Sequence, residues 1–87
     1  MPYTVSIKPK AEKYLADIRD RRLYRRLRDA VGGLAGNPRS SGSIKLQGGD
    51  ELYRVRVGDY RIVYEIQDAV LVVLVVQIGH RREIYRQ

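Results

Sequence analysis

The run Leu52-Tyr53-Arg54-Val55-Arg56-Val57-Gly58-Asp59-Tyr60-Arg61-Ile62-Val63-Tyr64-Glu65-Ile66 alternates apolar and polar residues on both sides of Gly58-Asp59. That is the pattern of two strands joined by a two-residue hairpin turn. Gly at the first central position suits a type II′ turn, because only Gly takes the required positive φ without steric cost. The turn predicts the cross-strand pairs Val57 with Tyr60, Arg56 with Arg61, Val55 with Ile62, Arg54 with Val63 and Tyr53 with Tyr64. Tyr53, Val55, Val57, Tyr60, Ile62 and Tyr64 then share a core face, and Arg54, Arg56 and Arg61 share the other. Like charges directly opposite destabilise a sheet by roughly 0.2–1 kcal/mol. Nothing in such a fold needs them there, so an anion is the expected partner.

The rest of the chain fits one small domain, residues 1–87, with a single core. No window reaches the ~18 uninterrupted apolar residues of a membrane span. The longest apolar run, Ala69 to Val76, reads as a strand buried on both faces. Met1 to Val5 show no basic segment followed by an apolar one, so no secretory signal is expected and the cytoplasm is the default location. With no Cys and one His, neither a disulfide framework nor a thiolate or His-rich metal site is expected. The formal net charge is +7, and thirteen of the seventeen cationic side chains are Arg, the residue suited to bidentate phosphate recognition. Position carries more weight than count, since Arg-rich composition also follows genomic base content.

Tyr3 to Ile7 alternates and is expected to be the first strand. Pro9 stands where a helix would begin, a place that tolerates its missing N–H. Ala11, Tyr14, Leu15 and Ile18 recur at helical spacing. After a tight connection at Asp20-Arg21-Arg22, a second helix places Leu23, Leu27, Ala30, Val31 and Leu34 on one face, and Gly36-Asn37-Pro38 stops it. Arg39 to Ser43 is a Ser/Gly-rich loop, Ile44-Lys45-Leu46 a short extended piece, Gln67-Asp68-Ala69 a second turn, and Val70 to Ile78 the central strand. The order β-α-α-β-β-β predicts an α+β fold, a helical hairpin on one face of a mainly antiparallel twisted sheet with a short C-terminal tail. The arginines would point from the open face.

Three runs together carry a resemblance: Lys45-Leu46-x-Gly48, then Tyr53 to Tyr64, then Ile78-Gly79-His80-Arg81-Arg82-Glu83-Ile84-Tyr85. They resemble the RelE/ParE superfamily of toxins from bacterial and archaeal toxin–antitoxin systems, across essentially the whole chain. The RelE branch cuts messenger RNA in the ribosomal A site, whereas the ParE branch poisons DNA gyrase and is usually longer in its helical part. The resemblance implies a RelE-like active site at Arg54, Arg56, Arg61, Arg81 and Tyr85. At the first two positions catalytically strong relatives carry Lys, a departure that bears on rate rather than on the binding site.

RNA cleaves itself when its 2′-hydroxyl attacks the adjacent phosphorus. An enzyme helps by removing that proton, stabilising the added negative charge and protonating the departing 5′-oxygen. Arg, always protonated, is a poor base but a good stabiliser of phosphate oxygens, which suits Arg54, Arg56 and Arg61. Tyr85 is the tail residue equipped to act as base, its pKa of about 10 lowered by nearby cations. The resemblance assigns Arg81 to the leaving oxygen. Lys45, His80 and Arg82 are candidate RNA contacts, although a His following Gly79 at a strand end is more often structural. The bland readings are a solvated face for the strand arginines and an apolar anchor for Tyr85. The helix cations Arg21, Arg22, Arg25, Arg26 and Arg28, with Lys8, Lys10 and Lys13, read as solvated faces, some available to position the protein on ribosomal RNA phosphates. Tyr3, Tyr14, Tyr53 and Tyr64 read as core.

The resemblance implies a cognate antitoxin, which on physical grounds would be acidic and carry an amphipathic helix. The other expected partners are the ribosome and mRNA; no membrane, small-molecule cofactor or divalent metal is expected. The leading function is thus a metal-independent, ribosome-dependent mRNA endoribonuclease toxin. Its rivals are a ParE-like gyrase inhibitor and a weakly catalytic or non-catalytic RNA-binding homologue.

Overall fold

Alternation of side chains in the second half and helical periodicity in the first are both realised in the computed structural model, which describes residues 2–47 and 51–80. Chain order is β1 (Thr4–Ile7), α1 (Pro9–Ala16), α2 (Arg21–Gly33), β2 (Ser43–Lys45), β3 (Leu52–Val57), β4 (Tyr60–Gln67), a 3₁₀ turn (Asp68–Val70) and β5 (Val72–His80). The five strands form one sheet in the order β1-β5-β4-β3-β2. β1 runs parallel to β5, and every other pair is antiparallel. The α+β architecture is as expected, with the extended piece near Ile44 realised as the edge strand β2.

Pro9 opens α1 after an extended Lys8, where its fixed φ suits the first helical turn. The expected connection Asp20-Arg21-Arg22 is instead the start of α2. The Asp20 carboxylate accepts from the backbone N–H groups of Arg22 at 2.9 Å and Leu23 at 3.2 Å, so it is the N-cap, an interaction worth about 0.5–2 kcal/mol. Ala11 and Leu15 from α1, and Leu27 and Val31 from α2 with Leu34 just beyond it, are buried against Ile62, Tyr64 and Ile66 of β4 and Val73, Val75 and Ile78 of β5. This core occupies one sheet face, and β4 is the middle strand of the order.

The last strand differs from expectation in three ways. It starts at Val72 rather than Val70, because Asp68 to Val70 form the 3₁₀ turn and Leu71 adopts a left-handed φ of 54°. β5 is second in the sheet, between β1 and β4, not its centre. Nor is it sheathed on both faces: Val72, Leu74 and Val76 are only half-buried. A bulge also interrupts the alternation. Val63 pairs with Gln77 but Tyr64 pairs with Val75, so Val76 is the additional residue. One extra residue reverses which side chains face the core. Val73 and Val75 point inward before the bulge, and Ile78 does so after it.

Candidate nucleic-acid interface

The hairpin has the register its sequence dictates. Val57 pairs with Tyr60, Arg56 with Arg61, Val55 with Ile62, Arg54 with Val63 and Tyr53 with Tyr64. Gly58 has φ +61°, while Asp59 is not among the positive-φ residues, the combination of a type II′ turn. Tyr53 and Tyr64 stack on the helix-covered face, with ring centroids 6.1 Å apart and planes inclined by 18°. The period of two then sends Arg54, Arg56 and Arg61 to the opposite face, which no helix among the described residues covers.

The three guanidinium groups sit in different surroundings. Arg56 is exposed. Arg61, directly across from it, is only 6% exposed and is the one buried charged residue among those described. On its other side Arg61 is paired with Gly79 of β5, which brings no side chain into the space beside it. Arg54 is half-buried between Ile44 of β2 and Val63 of β4. Its Nη1 is buried without a hydrogen-bond partner among the described residues. A buried, unsatisfied guanidinium N–H is costly unless an acceptor completes it. The chemistry on offer is therefore dense positive charge on a pleated surface, suited to an anion.

Lys45 and His80 are not brought to this face. Lys45 is registered opposite Tyr53, so alternation turns it to the helix side of the sheet, where its Nζ lies 3.7 Å from Glu51 Oε2. The ring of His80, registered opposite Tyr60, meets that tyrosine edge-on with centroids 5.3 Å apart. A two-residue period cannot place them with the arginines. Arg81, Arg82 and Tyr85 lie outside the described residues. Among the described residues, no group of three or more His, Cys, Asp or Glu stands at metal-binding spacing, and no helix is long and apolar enough to cross a membrane.

One cluster has no signal in the sequence, where Arg39 belongs to a Ser/Gly-rich loop. Its Nη2 donates to Asp68 Oδ2 at 2.8 Å and to Glu51 Oε1 at 2.9 Å, and its Nε donates to the Tyr53 hydroxyl at 3.1 Å. Tyr3 adds a 2.6 Å bond from its hydroxyl to Asp68 Oδ1. The Arg39 and Tyr3 hydrogen bonds hold the Asp68 carboxyl down to about 2. The bond to Asp68 raises the Tyr3 phenol above its ordinary value. These contacts tie the loop after α2 to the 3₁₀ turn and the start of β3. They brace the hairpin from its far end, and no local pattern in the sequence signals them.

Comparison with known proteins bears on the family and the fold. Residues 5–85 match the family model described as the ParE toxin of the type II toxin–antitoxin system parDE. A curated relative, Toxin RelG of Mycobacterium tuberculosis, is 31% identical over the full length of both chains. Among solved structures, the archaeal RelE–RelB complex from Pyrococcus horikoshii contains a chain 31% identical to this one. It superposes with a TM-score of 0.79 over 93% of this chain and 97% of that one. An Escherichia coli RelE toxin mutant in the free state shares the fold, with a TM-score of 0.80 at 23% identity over 98% and 90% of the respective chains.

Proposed function

Because the chain belongs to the RelE/ParE family of type II toxin–antitoxin toxins, we propose that it is a ribosome-dependent endoribonuclease that cuts messenger RNA in the A site. One observation carries the reading: Arg56 stands opposite Arg61, with Arg54 on the same sheet face, away from α1 and α2. A protein surface gains nothing from that juxtaposition unless an anion completes it.

On this reading the scissile phosphate rests on the Arg54–Arg56–Arg61 face. Their N–H groups bind its non-bridging oxygens and take up the charge that grows as the 2′-oxygen attacks phosphorus. Arg61, the most buried of the three, supplies the strongest field, because screening by water falls with burial. Arginine does not remove the 2′-proton. That task falls to Tyr85 and support of the 5′-oxygen to Arg81, both assigned by the resemblance. Tyr85→Phe should then abolish cleavage while RNA binding stays near wild type. The cognate partner is an antitoxin; in the Pyrococcus complex the toxin is paired with RelB. An acidic segment that covers the arginine face would silence the enzyme.

A second reading is favoured by the family model itself, which is that of the ParE toxin: a gyrase inhibitor that performs no RNA chemistry. Toeprinting of translating ribosomes with purified toxin, run beside a gyrase supercoiling assay, distinguishes them. A-site cuts with normal supercoiling are expected. Inhibited supercoiling without cuts would establish the second reading, and silence in both assays a non-catalytic homologue.

A further inference from the structure

We infer that the outer surface of α2 is a second phosphate-binding surface, one that grips the backbone of folded RNA where the helix meets the hairpin bend. This deepens the function proposed above, and the choice of RNA over another polyanion rests on that reading.

The helix is poorly designed for water alone. Arg21, Arg22, Arg25 and Arg26 are all exposed, and none forms an ion pair among the described residues. Arg21 with Arg25, and Arg22 with Arg26, are like-charged i,i+4 pairs, which destabilise a helix by roughly 0.2–0.5 kcal/mol each. The first turn carries Arg21 and Arg22 where the macrodipole disfavours cations, and the Asp20 N-cap places a carboxylate at that end. A helix serving only as a solvated cover would interleave Glu; this one concentrates guanidinium groups, and α2 contains no Lys. Arginine's planar fork fits phosphate oxygens in pairs, which a lysine ammonium does not.

The stripe also has a place to lead. The guanidinium of Arg26 lies against the hairpin turn, its Nη2 only 3.4 Å from the position a Cβ on Gly58 would occupy. Between α2 and the bend is an open cleft of about 590 Å³ lined by Arg22 and Arg26, by the carboxylates of Asp20 and Asp59, and by Gly58. Arg56 and Arg61 are one residue pair from that bend, on the other sheet face. Arginines thus flank the hairpin tip on both sides, Arg56 and Arg61 on the open sheet face and Arg22 and Arg26 on the helix, and outnumber the Asp20 and Asp59 carboxylates between them. Such a belt is too extended for a single scissile phosphate and is shaped for a backbone that passes the tip. Phosphate contacts of this kind set register and orientation without reading sequence.

Binding of full-length toxin to a labelled hairpin RNA of arbitrary sequence, titrated at several salt concentrations, tests the inference. Arg22→Gln/Arg25→Gln is expected to weaken binding and to make the slope of log K against log salt shallower by about 2. Arg22→Lys/Arg25→Lys keeps the charge and should restore most of the slope. Both variants remove or preserve charge at exposed positions, so circular dichroism should show intact helix. Unchanged affinity and slope in the Gln variant would overturn the inference. So would loss of affinity for the antitoxin alone, which would assign the stripe to a protein partner. Weakened hairpin binding in the Gln variant of a toxin that makes no A-site cuts would retain this surface and reject the ribonuclease reading.

Discussion

Arg39 and Asp68 meet as a fork, Nη2 to Oδ2 at 2.8 Å and Nη1 to Oδ1 at 3.1 Å, across 29 positions of sequence. Both side chains are partly exposed, at 41% and 51%, so water screens the pair and its contribution is small beside the core. It nevertheless fixes a pH signature. The Asp68 carboxyl titrates near 2 in the fold, below its value of about 3.9 in an unfolded chain. A depressed folded pKa gives stability that is present above the unfolded pKa and lost as pH falls through the folded one. Asp68→Asn should therefore lower the thermal midpoint by a few degrees at neutral pH. The gap to wild type should narrow from about pH 4 and close near pH 2, as followed by circular dichroism. A gap that stays constant through the acid range would show that the carboxylate's charge is irrelevant to the brace.

Tyr64 is fully buried, and its hydroxyl donates to the Pro38 carbonyl at 2.6 Å. Tyr64→Phe keeps the ring and its stack on Tyr53 but leaves a buried carbonyl with one acceptor position unfilled. The expected loss is about 1–3 kcal/mol in urea unfolding. A loss well below that range would mean that water or a loop shift replaces the bond.

The parts of the fold legible in the sequence are those in which two local rules agree. Gly58-Asp59 and the alternation around it fix the same register, so the Arg56–Arg61 pair follows from the chain alone. The apolar stripes of α1 and α2 were equally plain, since Leu15, Leu27 and Val31 follow the helical period. β5 was less legible, because Ala69 and Val70 extend an apolar run through residues that turn instead. An apolar run has no phase, so it hides both the start of the strand and the bulge at Val76. That bulge decides that Gly79 lies beside Arg61 while His80 turns to the helix side. The Arg39 cluster is invisible for another reason: its members come from four separate stretches of chain, and only the assembled fold brings them together.

The bend at Gly58 couples stability to the site. Its φ of +61° is disfavoured for an L side chain by roughly 1–2 kcal/mol, and an added Cβ would meet the Arg26 guanidinium at 3.4 Å. Gly58→Ala should destabilise the protein by at least that amount in urea titration. It should also reduce A-site cutting more than Asp59→Ala does, because the strained bend displaces the neighbouring Arg56–Arg61 pair. Equal cutting by the two variants would uncouple the turn from the arginine face.

Arg61 is the sharpest test of that face, because burial makes its charge count for more than that of exposed Arg56. If Arg61 neutralises the developing phosphorane charge, Arg61→Ala should lower the rate of A-site cleavage by about 10²–10³-fold, the effect of deleting one preorganised donor. Arg61→Lys keeps a cation but not the planar fork, and should recover only part of that loss. Arg56→Ala, at the exposed rim, should act mainly on binding and lose less in the single-turnover rate. Single-turnover cleavage on programmed ribosomes separates these cases, since it reads the chemical step apart from association. A circular dichroism melt of each variant checks that the fold survives. If Arg61→Ala folds, binds ribosomes and still cuts at the wild-type rate, the buried guanidinium serves the sheet rather than the reaction, and the catalytic charge must come from elsewhere in the chain.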